Sequence, residues 1–192
     1  MKRAIIVHCW GGDPEYCWYP SVKKDLETLG FQVTVPAMPK PDEPQLTNWL
    51  PQLKGIIGEA DENLYLIGHS IGSVTIMRYL ETLPENTRVR GVVLVAGFTD
   101  NIGFKELKNF FEKPFDYEKI KSRAKHFILI HSDNDPYVQS IHASILKEKL
   151  GAELIIKKGM GHFTAGRDPD DGPVICTKLP EAAAAIEKMI NI

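Results

Sequence analysis

Six short runs rich in β-branched and other apolar residues recur along the chain, at positions 4–8, 31–36, 63–69, 91–97, 126–132 and 153–158. Several are apolar without a break, the pattern of strands covered on both faces. Segments of helical period stand between them, at 19–29, 46–59, 71–83, 137–150 and 179–191. Strand and helix alternating from end to end predict an α/β class protein: a three-layer α/β/α sandwich around a six-stranded parallel sheet. At 192 residues and 43% hydrophobic content, the chain suffices for one core, so residues 1–192 are expected to form a single domain. Two stretches break the rhythm. Residues 36–44 hold four prolines and read as a loop. Residues 98–125 carry Phe98, Phe104, Phe110, Phe111, Phe115 and Tyr117, too many aromatic rings for a solvated connection, and are a candidate lid insertion.

Charge excludes several function classes. Lys and Arg total 23 against 25 Asp and Glu, and no basic run exceeds a pair, so nothing attracts a phosphate backbone or an anionic membrane. No apolar run is long enough to span a bilayer. Ala4-Ile5-Ile6-Val7 is broken at once by His8 and shows no cleavage pattern, so it reads as a strand rather than a signal segment. The three cysteines, Cys9, Cys17 and Cys176, are odd in number and lie in no paired or metal-ligand spacing. They predict no disulfide framework, no metal and a reducing, cytoplasmic setting.

The chemistry is expected at the carboxyl ends of the strands, where open parallel sheets handle ligands. The third strand runs into Gly68-His69-Ser70-Ile71-Gly72, a G-x-S-x-G pentapeptide at a strand-to-helix junction. Its turn must be so sharp that only small residues fit beside the serine. A nucleophilic serine needs a base, and the base needs an acid that holds its tautomer. Asp135 follows the fifth strand and His162 follows the sixth, giving the chain order Ser, Asp, His. Asp133 competes with Asp135, which is favoured because Pro136 fixes a turn straight after it; Asp133 then caps a turn. His8 and His69 are read as supports of their loops, and His126, His131 and His142 as structural or exposed. For the oxyanion, the N–H of Ile71 is one expected donor. The other is placed in His8-Cys9-Trp10-Gly11-Gly12, at Trp10 first and Cys9 next. That loop lacks the spacings of nucleotide-binding glycine motifs.

These features resemble the α/β-hydrolase superfamily over essentially the whole chain. Within it the match is to the small single-domain serine hydrolases of the retinoblastoma-binding protein nine and YdeN group. The likeness rests on Ile5-Ile6-Val7-His8 with its glycine loop, Trp18-Tyr19-Pro20, Pro36-Ala37-Met38-Pro39, Trp49, the turn around Ser70, Asp135-Pro136 and Gly161-His162-Phe163. It implies a minimal hydrolase sheet of order 2-1-3-4-5-6. Cys9 departs from the pattern, standing where many members have glycine. The L-x-C-x-E motif known for partner binding in this group is absent.

The expected function is hydrolysis of carboxylic esters through an acyl-enzyme, without metal or organic cofactor, on a small-molecule substrate. A peptidase or thioesterase with the same triad, or an interaction module with a vestigial site, are the alternatives, because fold does not choose the leaving group. Phe111 and Phe115 are candidates for a pocket roof that favours short acyl chains, with packing against the domain as the competing role. The loop at 164–177, with Asp168, Asp170 and Asp171, reads as solvated and acidic rather than as a pocket border.

Overall fold

The computed structural model describes residues 1–167, 171 and 174–192. In it β1 (Arg3–Val7), α1 (Tyr19–Thr28), β2 (Gln32–Thr34), α2 (Leu46–Ile57), β3 (Leu64–His69) and α3 (Ile71–Leu80) form the first half. The second half comprises β4 (Val89–Val95), α4 (Tyr117–Ser122), β5 (Ala124–Ser132), α5 (Ser140–Leu150), β6 (Glu153–Lys157) and α6 (Pro180–Ile190). The strands make one parallel sheet in the order β2-β1-β3-β4-β5-β6.

Alternation within each strand feeds two cores. Ile5 and Val7 point to the side covered by Trp49 and Leu53 of α2, Val74 and Met77 of α3 and Leu146 of α5. Ala4 and Ile6 point to the side covered by Tyr19, Val22 and Leu26 of α1 and by the alanine-rich α6. Small side chains at Ala182, Ala183 and Ala185 let α6 sit close to the sheet, as dense packing requires. The chain moves outward from β1 to β2, then returns to the other side of β1 as β3. Loops leaving β1 and β3 therefore part at the carboxyl edge, the crevice where such sheets bind ligands.

Two expectations shift. The helix predicted from 137 begins at Ser140, because the Asp135 carboxylate holds the N–H groups of Tyr137 and Val138 in a turn. Inside the insertion, a 3-10 turn at Lys105–Phe110 and the short α4 appear; α4 starts where the Asp116 side chain caps the N–H of Lys119. No helix among the described residues is long and apolar enough to cross a membrane.

Candidate active site

Ser70 leaves β3 with φ 55° and ψ −121°, a conformation that costs a residue bearing a Cβ about 1–3 kcal/mol. The flanking glycines permit it. A Cβ on Gly68 would lie 2.5 Å from Cα of Ser73, and one on Gly72 would run into the carbonyl of Val7. Strand and helix thus pass too closely for side chains, and α3 opens directly behind the serine with its positive end at the site.

The loops after β5 and β6 bring two further groups to it. His162 Nε2 lies 2.9 Å from Ser70 Oγ, and His162 Nδ1 lies 2.8 Å from Asp135 Oδ2. An ionised carboxylate only accepts, so Nδ1 carries the proton and Nε2 faces the serine as acceptor. Burial alone would push the Asp135 carboxyl up. The hydrogen bond and charge of His162, with the N–H groups of Val138 and Tyr137, outweigh burial and hold it below the usual carboxylate range.

Three consecutive side chains at the end of β5 clasp the loop that carries His162. Ser132 Oγ accepts the N–H of Met160 at 3.0 Å, Asp133 Oδ1 that of Gly159 at 2.8 Å, and Asn134 Oδ1 that of Gly161 at 2.8 Å. Asp133 thus caps the turn at Gly159, while the carboxylate that reaches His162 is that of Asp135. Ser132 and Asn134 escaped the sequence reading, although a run of short polar side chains directly after a strand was their signal.

The loop after β1 presents its backbone to the same crevice. The carbonyl of Cys9 accepts His8 Nδ1–H at 2.7 Å and the N–H of Gly12 at 3.1 Å. A trans peptide turns the following N–H the opposite way, so the N–H of Trp10 faces away from those two donors. The N–H of Cys9 is already donated to Tyr19 Oη at 3.0 Å. Among the described residues the N–H groups of Trp10 and Ile71 meet no acceptor. Burial pushes the Cys9 thiol up to about 12, so it stays protonated at neutral pH. The proline-rich loop braces this segment: Met38 N–H donates to His8 Nε2, and Trp10 Nε1–H to the carbonyl of Asp42.

A cavity of about 530 Å3 opens over Ser70. Trp10, Phe104 and Tyr137 form an aromatic wall with centroid spacings of 5.7 and 6.4 Å, and Tyr137 meets His162 edge-on at 5.1 Å. Ile102 and Leu107 complete the side given by the insertion. Phe111 and Phe115 are not among the lining residues, so of the two roles open to them the structure shows packing against the domain and not a pocket roof. Arg78 of α3 binds the carbonyls of Phe110 and Lys113 and stacks 3.9 Å over Phe115, while Phe111 packs 5.7 Å from Phe98. These contacts draw 110–115 onto the domain and leave 102–107 at the cavity.

Asp171 corrects the reading of a solvated acidic loop. It is buried, and its carboxylate accepts the hydroxyls of Tyr16 and Tyr137 at 3.5 and 3.3 Å. Asp168 and Asp170 lie outside the described residues. No group of three or more His, Cys, Asp or Glu side chains among the described residues is arranged to hold a metal ion.

Comparison with known proteins bears on the family and the fold. A family model described as serine hydrolase matches residues 4–175. YdeN of Bacillus subtilis (strain 168) is 33% identical over 163 residues, 84% of this chain and 86% of that protein. The serine hydrolase RBBP9 of Rattus norvegicus is 32% identical over 166 residues, 84% of this chain and 87% of that one. The crystal structure of the B. subtilis ydeN gene product superposes with a TM-score of 0.91 at 30% identity, covering 100% of both chains. Est1E from Butyrivibrio proteoclasticus shares the fold alone, with a TM-score of 0.75 at 14% identity over 100% of this chain and 89% of that one. With a family model reaching from the first strand past the last, and two relatives above 30% identity across most of their own lengths, the chain belongs to the serine hydrolase family.

Proposed function

We propose that this protein hydrolyses carboxylic esters through an acyl-enzyme, with Ser70 as nucleophile, His162 as base and then acid, and Asp135 as the group that orients His162. The observation that carries this reading is the continuous chain from Ser70 Oγ to His162 Nε2 at 2.9 Å and from His162 Nδ1 to Asp135 Oδ2 at 2.8 Å. Ser70 Oγ attacks the acyl carbon while His162 Nε2 takes its proton. The carbonyl oxygen becomes an oxyanion facing the N–H groups of Ile71 and Trp10. When the C–O bond breaks, His162 returns the proton to the departing alcohol. Water then gives its proton to His162 and attacks the acyl-serine, releasing the acid and restoring Ser70.

The cavity volume falls within the range of about 300–1,000 Å3 typical of small-molecule sites, which supports a small ester as substrate. Ile102, Phe104 and Leu107 close one side, and the segment behind them is tied to α3 by Arg78 and to the start of α2 by Asn109. That tethering favours a fixed wall over a moving lid, and with it short acyl chains. Three buried thiols without disulfide partners suit a reducing cytoplasm. Turnover of p-nitrophenyl esters from acetate to dodecanoate tests the reading. Rates should fall with chain length. Hydrolysis of thioesters or peptides with none of esters would replace it by the peptidase or thioesterase alternative.

A further inference from the structure

His69 stands inside the turn beside the proposed nucleophile, and the ester mechanism gives it nothing to do. It is fully buried, yet both ring nitrogens are engaged: Nε2 lies 2.7 Å from the carbonyl oxygen of His162, and Nδ1 lies 2.7 Å from Tyr19 Oη. Tyr19 is itself fully buried at the start of α1, and its oxygen accepts the N–H of Cys9 at 3.0 Å. The two ends of this chain fix every hydrogen in it. A peptide carbonyl only accepts, so His69 Nε2 bears the proton; Nδ1 is then an acceptor, so Tyr19 donates its hydroxyl proton to it; and the tyrosine oxygen keeps a lone pair for the Cys9 N–H. The run is one-way: Cys9 N–H to Tyr19 Oη, Tyr19 O–H to His69 Nδ1, His69 Nε2–H to the His162 carbonyl. Burial presses the His69 pKa down to about 3, which keeps the ring neutral and this tautomer in place at working pH.

The four residues belong to the loop after β1, the first turn of α1, the end of β3 and the loop after β6. Three of those segments must hold register for acyl transfer: Cys9 precedes the Trp10 N–H, His69 precedes Ser70, and the His162 carbonyl belongs to the base. Rings reinforce the spacing, with Trp18, Tyr19 and His162 centred 5.5, 5.8 and 5.3 Å from His69.

We propose that Tyr19 and His69 are positioning residues, a buried one-way hydrogen-bond chain that holds the His162 base and the Trp10 N–H in register on either side of Ser70. The inference rests on the reading of Ser70 and His162 given above for its catalytic meaning. It predicts that loss of the chain costs rate rather than substrate binding, since a displacement near 1 Å costs about 100-fold in turnover.

The test compares wild type, Tyr19→Phe, His69→Gln and His69→Leu by turnover of p-nitrophenyl acetate and by long-range 1H–15N spectra of the histidine rings. Wild type should show His69 as the Nε2–H tautomer and His162 as the Nδ1–H tautomer. Tyr19→Phe should lower kcat about 10- to 100-fold with KM within about twofold, and should shift the His162 ring resonances while Asp135 keeps the Nδ1–H tautomer. His69→Gln retains a donor near the Nε2 position and should keep more of kcat than His69→Leu. Wild-type His69 in the Nδ1–H form overturns the proposal without any variant. So does a folded Tyr19→Phe protein whose kcat and His162 ring resonances match wild type with only its melting temperature lowered. If wild type turns over no ester yet both rings hold the stated tautomers and His162 responds to Tyr19→Phe, the ester reading falls and the positioning chain stands.

Discussion

Asp133 accepts the N–H of Gly159 at 2.8 Å, so the carboxylate two residues before the one bound to His162 holds the same loop by its backbone. The two aspartates therefore differ in what an amide does to them. Asp135→Asn presents an N–H2 or a weaker acceptor to His162 Nδ1 and favours the wrong tautomer, which should cut kcat on the order of 1,000- to 10,000-fold. Asp133→Asn keeps an oxygen for Gly159 and should cost less than about tenfold. Steady-state kinetics of both variants decide; the reverse ranking would move the orienting role to Asp133.

Strain at Ser70 yields a stability prediction that runs against activity. Glycine adopts φ 55° freely, whereas alanine keeps the Cβ and its cost. Ser70→Gly should unfold about 2–4 °C above Ser70→Ala, equivalent to roughly 1 kcal/mol for a chain of this size. Both should be inactive. Equal melting temperatures by calorimetry would mean that the turn carries no strain.

The aromatic residues of the insertion divide by position. Phe104 and Leu107 line the cavity, while Phe111 and Phe115 pack against Phe98 and Arg78. Phe104→Ala should extend turnover to longer acyl chains with little loss of stability. Phe111→Ala should cost on the order of 2 kcal/mol and leave the chain-length profile unchanged. A profile altered by Phe111→Ala and not by Phe104→Ala would restore the earlier roof.

Stability should fall on mild acidification because of buried neutral histidines. For His69, burial lowers the folded pKa from 6.5 to about 3. Between those values the unfolded chain binds a proton that the folded one refuses, so stability is full above pH 6.5 and is lost as pH drops towards 3. From pH 6.5 to 4.5 the loss from this group is roughly 2–3 kcal/mol, with His8 and His131 adding in the same direction. Asp135, held below the carboxylate range, is lost only at lower pH and does not blur this window. Urea unfolding at both pH values should show a smaller difference for His69→Gln. An unchanged difference would contradict the burial argument.

Much of the fold was legible because strands covered on both faces must be apolar throughout, as in Leu64–His69 and Ala124–Ser132. Element ends were less so, since they depend on side chains that compete with the helix, as Asp135 does at Tyr137 and Val138. The positions of Ser70, Asp135 and His162 followed from strand ends in chain order. The choice between roof and packing for Phe111 and Phe115 stayed open because hydrophobicity tells that a ring is covered, not by what; here the Arg78 guanidinium decides. Tyr19 was invisible as a partner of His69, because 50 residues separate them and only the packed sheet brings α1 over the end of β3.

The most direct test of the account is covalent labelling by a fluorophosphonate, read by intact-protein and peptide mass spectrometry on wild type and Ser70→Ala. Wild type should gain one phosphonyl group on the peptide containing Ser70, with parallel loss of ester turnover, and Ser70→Ala should gain none. Wild type that stays unlabelled, or a Ser70→Ala protein that labels or turns over ester at the wild-type rate, would contradict it.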